Sequence, residues 1–201
     1  MPQKSISIIG AGIAGLTLGR ALLKHGIRAT IYERKPASSR HSYAITLYPS
    51  AYQKLLTILG IDESDFRGRV AVPISNGHID ASKLANPGMA PAGSFKVHRG
   101  KLEDLLREQL DIRWEQGVES VKQGSEGAVV HLSSGEALKN TTIIGCDGPH
   151  SKVRSGLLPN IELTVLPYVA FNGKRRIASD DYKRNYAPAF GESTILEKKN
   201  Q

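Results

Sequence analysis

Cysteine is nearly absent from this chain: Cys146 is the single one in 201 residues. One thiol excludes an internal disulfide and suits a reducing compartment, so a cytoplasmic location is expected. The histidines show no H-E-x-x-H spacing and the lone cysteine no C-x-x-C, so no metal site is expected. Beyond the first segment there is no long apolar run, and no membrane span is expected. Aromatic residues make up only 6% and do not interleave with the basic runs Lys174-Arg175-Arg176 and Lys183-Arg184, which argues against a nucleic-acid stacking surface. The net charge of +8 is spread over both parts of the chain rather than gathered in a tail. Such a surface favours small anionic partners. No internal repeat or low-complexity tract is present, and nothing fixes an oligomeric state. With 40% hydrophobic and 23% charged residues, the composition is that of a globular chain long enough to bury a core.

Glycine, by contrast, is abundant and placed with purpose. The segment Ile6-Ser-Ile-Ile-Gly10-Ala-Gly12-Ile-Ala-Gly15-Leu-Thr-Leu-Gly19 is an apolar strand that breaks into G-x-G-x-x-G and then turns amphipathic. That order brings a backbone turn close to a pyrophosphate and aims a helix N-terminus at its charge. Glu33 closes the next apolar run, near the position where such a unit places a carboxylate for ribose hydroxyls. Residues 4–34 therefore read as a βαβ unit for an adenine dinucleotide. Met1–Leu23 also has the charge and apolar middle of a secretory signal, but Gly10, Gly12, Gly15 and Gly19 interrupt it and no A-x-A site follows.

Further along, a helix is expected from about Ile13 to His25, closed by Gly26 in a left-handed C-cap. Strands are expected at 28–32 and 44–47. Ser50 and Gln53 have capping-box spacing for a helix ending at Gly60. Residues 70–98 alternate weakly among prolines and glycines and read as an excursion into another layer. Leu102, Leu105, Leu106 and Leu110 mark an amphipathic helix over 101–110. Segments 112–116, 118–122 and 128–132 read as a three-stranded meander, ended by a turn at Ser133-Ser-Gly135. Thr141–Ile144 is a last strand, running into Gly145-Cys-Asp147-Gly148.

Three motifs in this order, Gly10-x-Gly12-x-x-Gly15 with Glu33-Arg34, His98-Arg99-Gly-Lys-Leu102, and Gly145-Cys-Asp147-Gly148-Pro-His-Ser151-Lys-Val-Arg154, resemble the FAD-dependent class A aromatic monooxygenases. This is the group of p-hydroxybenzoate and salicylate hydroxylases; Leu166–Arg176 is similar to segments of its fungal members. The resemblance implies an α/β fold: a Rossmann-like FAD-binding domain with a parallel sheet and a β-meander over 1–70 and 97–158, and an incomplete β-rich substrate domain over 71–96 and 159–201. It implies FAD as cofactor, NAD(P)H as electron donor with no Rossmann unit of its own, and an aromatic or other electron-rich small molecule as substrate. Secondary metabolism is the implied setting.

By the same resemblance Gly10, Gly12 and Gly15 line the FAD pyrophosphate, Glu33 takes the ribose with Arg34 beside it, and Arg99 reaches the cofactor from a helix start. Ala44 matches a small residue packed near FAD, and Asp147 is tied to cofactor binding indirectly. Arg40 and His41 face either the flavin or water. No catalytic acid or base is implied, because the cofactor performs the difficult chemistry. A second flavin-contacting motif, a strand running into Gly-Asp, has no match after Asp147-Gly148. The expectation is thus the first half of a monooxygenase, with a flavin-binding protein lacking turnover as the alternative. A nicotinamide-dependent dehydrogenase using Arg34 for a 2′-phosphate is a third reading, which needs neither Arg99 nor Asp147.

Overall fold

The structure is a computed structural model that describes residues 5–38, 41–72, 92–124, 127–139, 141–168 and 178–186. Four strands form a parallel sheet: β1 (Ser5–Ile9), β2 (Ala29–Glu33), β5 (Asp111–Trp114) and β9 (Thr141–Gly145), in the order β5-β2-β1-β9. A strand buried on both faces reads as a continuous apolar run, and β1 does so through Ile8 and Ile9. Because successive side chains alternate, Ile8 enters one core and Ile9 the other.

The larger core lies under four helices. These are α1 (Ile13–Lys24), α2 (Pro49–Leu59), α3 (Glu63–Val70) and α4 (Arg99–Leu106). Leu16, Phe66, Val70, Leu102 and Leu106 pack there around Ile8 and Ile31, all essentially inaccessible. Strand β3 (Ala44–Leu47) pairs antiparallel with β4 (Phe95–His98), whose Phe95 and Val97 join the same core. On the opposite face Ile9 packs with Val121, Val130, Leu132 and Val153. These come from the antiparallel strands β6 (Val118–Gly124) and β7 (Gly127–Leu132) and from the short helix α5 (Lys152–Leu157), with β8 (Ala137–Leu138) at the edge.

Several expectations hold. Gly26 (φ 74°) and Gly60 (φ 69°) are left-handed and close α1 and α2. Gly19 lies against the sheet, where a Cβ would come 3.0 Å from Ile31 Cδ1. Others need correction. The segment 111–114 does not open the meander; it returns from α4 as a parallel neighbour of β2, with Thr30 opposite Asp111 and Glu33 opposite Trp114. Gln109 and Glu115, both at positive φ, turn the corners on either side. The Ser133–Gly135 turn leads into β8 rather than ending the meander. Ser50 and Gln53 form no capping box, because Pro49 starts α2 and Tyr48 becomes its N-cap without a side-chain bond. Helix α3, capped by Asp62 through Asp65 N at 2.8 Å, was not expected from periodicity. It is short, and only Phe66 and Val70 face inward. Residues 73–91, the core of the proline- and glycine-rich excursion, lie outside the described residues.

Candidate functional site

A cleft of about 500 Å³ opens at the C-terminal ends of the parallel strands. Its walls come from the ends of β1, β2, β5 and β9, and from the rim of α4. That edge is where open parallel sheets bind ligands, and the volume is in the range of small-molecule sites.

The glycine turn forms its floor, and the three glycines are there for different reasons. Gly10 has φ 104°, and a Cβ on it would sit 2.5 Å from the Cys146 carbonyl oxygen. A Cβ on Gly15 would sit 2.0 Å from the Gly10 oxygen. Both glycines are demanded by the fold itself, since the β1 turn, α1 and the β9 turn touch there. Gly12 differs. Its φ of −75° suits any residue, and a Cβ would meet nothing within 4 Å. Among the described residues nothing requires glycine at that point, yet it lines the cleft. Gly12 is also the N-cap of α1, which has no side-chain cap and no acidic residue in its first turn. The first N–H groups of α1 and its partial positive charge are thereby left for an anion.

Glu33 ends β2 beside this turn. Its carboxylate accepts from Ala11 N at 2.8 Å and Lys35 N at 2.9 Å, which ties the glycine turn to the strand end. Arg34, the next residue, lines the cleft from an exposed position.

Arg99 lies at the start of α4, on the rim. Its Nε donates to Glu103 Oε1 at 2.9 Å, its terminal nitrogen donates to the Tyr43 hydroxyl, and its guanidinium lies 5.2 Å from the Tyr43 ring centre. Partial burial works against the charge, but the bonds to Glu103 and Tyr43 outweigh it and raise the pKa. The unfavourable charge at a helix start is thus answered by an i,i+4 carboxylate within the chain.

Asp147 acts on the backbone. Its carboxylate accepts from Ser151 Oγ at 2.5 Å, Lys152 N at 2.7 Å and Val153 N at 3.3 Å, while Ser151 Oγ accepts from Arg154 N at 2.9 Å. Together they cap α5 and fix the turn around Gly148 (φ 84°). Cys146, between the two turns, has a thiol pKa raised by burial and then by Asp147.

Of the residues expected from sequence, Gly10, Gly12, Glu33, Arg34, Arg99 and Asp147 line one cleft. Gly15 packs directly beneath it. Ala44 stands apart, exposed on β3 opposite His98 and absent from the lining. His41 lines the cleft, whereas Arg40 lies outside the described residues. Residues missed by the sequence reading include Glu103, Trp114 and Gln116. Trp114 and Gln116 reach the cleft because β5 joins the parallel sheet; the helix-then-strand order over 99–114 was the available signal. Among the described residues no cluster could hold a metal ion, and no helix is long and apolar enough to cross a membrane.

Residues 3–164 match the FAD binding domain family. The chain is 29% identical over 211 residues to the FAD-dependent monooxygenase vrtH of Penicillium aethiopicum, covering 96% of this chain and 51% of that protein. It is 31% identical over 215 residues to the FAD-dependent monooxygenase nscC of Neosartorya fischeri, covering 97% and 52%. The chain thus spans about half the length of these curated relatives. A crystal structure of a putative FAD-containing monooxygenase from Photorhabdus luminescens superposes with a TM-score of 0.58 at 28% identity, over 80% of this chain and 43% of that one. By the match over residues 3–164 the chain belongs to the FAD binding domain family, and the curated relatives it is similar to are FAD-dependent monooxygenases.

Proposed function

We propose that the cleft holds FAD and that the chain is the flavin-binding part of an NAD(P)H-driven monooxygenase acting on an aromatic or other electron-rich small molecule. The observation that supports this most directly is Gly12: a glycine that no contact among the described residues requires, at a helix N-terminus without a side-chain cap, on the wall of the cleft. In this reading the Gly10–Gly12 turn and the start of α1 hold the diphosphate, with Gly15 allowing the helix to approach. Glu33 accepts from the ribose hydroxyls, Arg34 and Arg99 supply positive charge, and Asp147 keeps the β9 turn in shape. Residues 1–70 and 97–158 form this unit, and 71–96 and 159–201 belong to the substrate side. Bound flavin would supply oxygen activation and transfer of one oxygen atom; the chain's own residues bind it, orient it and exclude water.

FAD titration of the purified chain, followed by quenching of flavin fluorescence, tests the reading. Gly12→Ser should lower FAD affinity by about tenfold or more, because its side chain enters the cleft and takes an N–H meant for the ligand. Its effect on folding stability should stay within about 0.5 kcal/mol, since serine is itself a good N-cap. Glu33→Ala should weaken FAD by about 1 to 3 kcal/mol. A colourless protein that binds NAD(P) and ignores FAD would replace the reading with a dehydrogenase. NAD(P)H consumption stimulated by an aromatic compound is the corresponding test of turnover.

A further inference from the structure

Glu103 lines the cleft one helical turn after Arg99 and holds that arginine from behind. Its Oε1 accepts from Arg99 Nε, the nitrogen nearest the stem, at 2.9 Å. Its Oε2 accepts from His41 Nδ1, also at 2.9 Å, since an ionised carboxylate can only accept. With 13% of its side chain exposed, Glu103 is the more buried partner in both pairs. One terminal nitrogen of Arg99 donates to the Tyr43 hydroxyl. No other hydrogen bond of the Arg99 side chain is made among the described residues, so the remaining N–H groups of its fork stay available on the cleft wall.

The platform beneath this pair is firm. Leu102 and Leu106, on either side of Glu103 along α4, are fully buried. The main chain ties α4 to the loop before β3: Arg99 N donates to Tyr43 O and Gly100 N to His41 O, both at 3.0 Å. A Cβ on Gly100 would lie 2.7 Å from that His41 oxygen, so the close approach needs glycine. Arg34 offers the contrast. It lines the same cleft from an exposed position, and its side chain makes no hydrogen bond to the described residues.

We propose that Glu103 is a positioning residue of the cleft, which fixes the Arg99 guanidinium so that its remaining N–H groups are oriented before the cofactor arrives. The proposal rests on the reading of the cleft as an FAD site, and it assigns Glu103 itself no contact with the cofactor. The physical reason is preorganisation. An unrestrained arginine gives up rotamer freedom when it meets a ligand, whereas one already held at Nε gives up little. A carboxylate left open on the wall of an anion site would also repel the ligand. Both Glu103 oxygens are instead occupied by donors of the chain.

A double-mutant cycle on the full chain tests it, with FAD dissociation constants and melting temperatures measured for each variant. Arg99→Ala should weaken FAD by about tenfold or more, and Glu103→Ala by about three- to tenfold. The double variant should match Arg99→Ala within about twofold, because a residue acting through Arg99 then has nothing left to act on. Glu103→Ala combined with Arg34→Ala should instead multiply the two separate losses. Glu103→Gln can still accept from Arg99 and bond to His41, and should bind FAD within about twofold of the parent. A purely structural role would lower the melting temperature and leave FAD affinity unchanged, which overturns the proposal. So do multiplied losses in the Arg99 cycle, an Arg99→Ala that binds like the parent, tighter binding by Glu103→Ala, or a Glu103→Gln as weak as Glu103→Ala. Each of these leaves the FAD site standing. If Glu103→Ala does not fold, Glu103→Asp, which keeps the charge and loses the reach, takes its place in the cycle with the same expectations. A parent chain that binds no FAD overturns both readings.

Discussion

At the scale of single residues, the same amino acid is kept in the turn for opposite reasons, and substitution separates them. Gly15 is a packing requirement. Gly15→Ala should destabilise the chain by about 2 to 4 kcal/mol, since the added methyl meets the Gly10 carbonyl at 2.0 Å and cannot be relieved by a rotamer change. Urea denaturation checks it, and a cost below that of an ordinary surface change would refute the close packing. Cys146 gives a pH-dependent counterpart. Its pKa is raised in the folded chain by burial and by Asp147, so the neutral thiol is the favoured form there. Its contribution to stability is therefore present below the ordinary thiol range and lost as pH rises through the raised value. Alkylation by iodoacetamide at neutral pH should be slow in the native protein and accelerate on unfolding. Equal rates in the two states would remove the assigned environment.

Among the elements, α5 shows how a binding-site motif can be a piece of local folding. Asp147 and Ser151 satisfy the first N–H groups of a helix whose Val153 fills the core against Ile9 and Val121. Ser151→Ala should cost about 1 kcal/mol of folding stability, and thermal melting measures it. The Asp-Gly motif was legible in sequence as a turn, but the partners of Asp147 were not: they lie in a helix too short for periodicity to reveal. Element β5 illustrates the other kind of loss. Asp111–Trp114 is only four residues long, and an isolated four-residue strand carries no information about which neighbour it pairs with. Helix α4, by contrast, was readable from Leu102, Leu105 and Leu106, although it ends at Leu106, before the positive-φ Gln109, and leaves Leu110 outside; α2 was readable except at its start. There proline geometry decided the first residue instead of serine and glutamine chemistry.

For the whole molecule, the open question is its uncovered surface. Between Leu157 and Tyr168 the chain exposes Leu158, Ile161, Leu163, Val165, Leu166 and Tyr168, with Val165 at 92% and Tyr168 at 78%. A run of exposed large apolar groups promotes association. The chain should therefore self-associate as concentration rises, and Val165→Lys with Leu166→Lys should reduce light scattering without altering FAD affinity. If the double variant scatters as strongly as the parent, the association has another origin.

The linear order of residues was enough to determine the β1–α1–β2 unit, its glycine turn and Glu33, because each depends on neighbours close in the chain and on backbone conformations that only certain residues adopt. It also determined the Asp-Gly turn and the leucine face of α4. Only the tertiary structure decided that Gly10 and Gly15 answer to Cys146 and to each other while Gly12 answers to none of the described residues. Likewise only the folded chain joined Glu103 to both Arg99 and His41, and carried Trp114 and Gln116 to the cleft. Those relations pair residues distant in sequence, and short-range periodicity holds no record of which distant surfaces will meet.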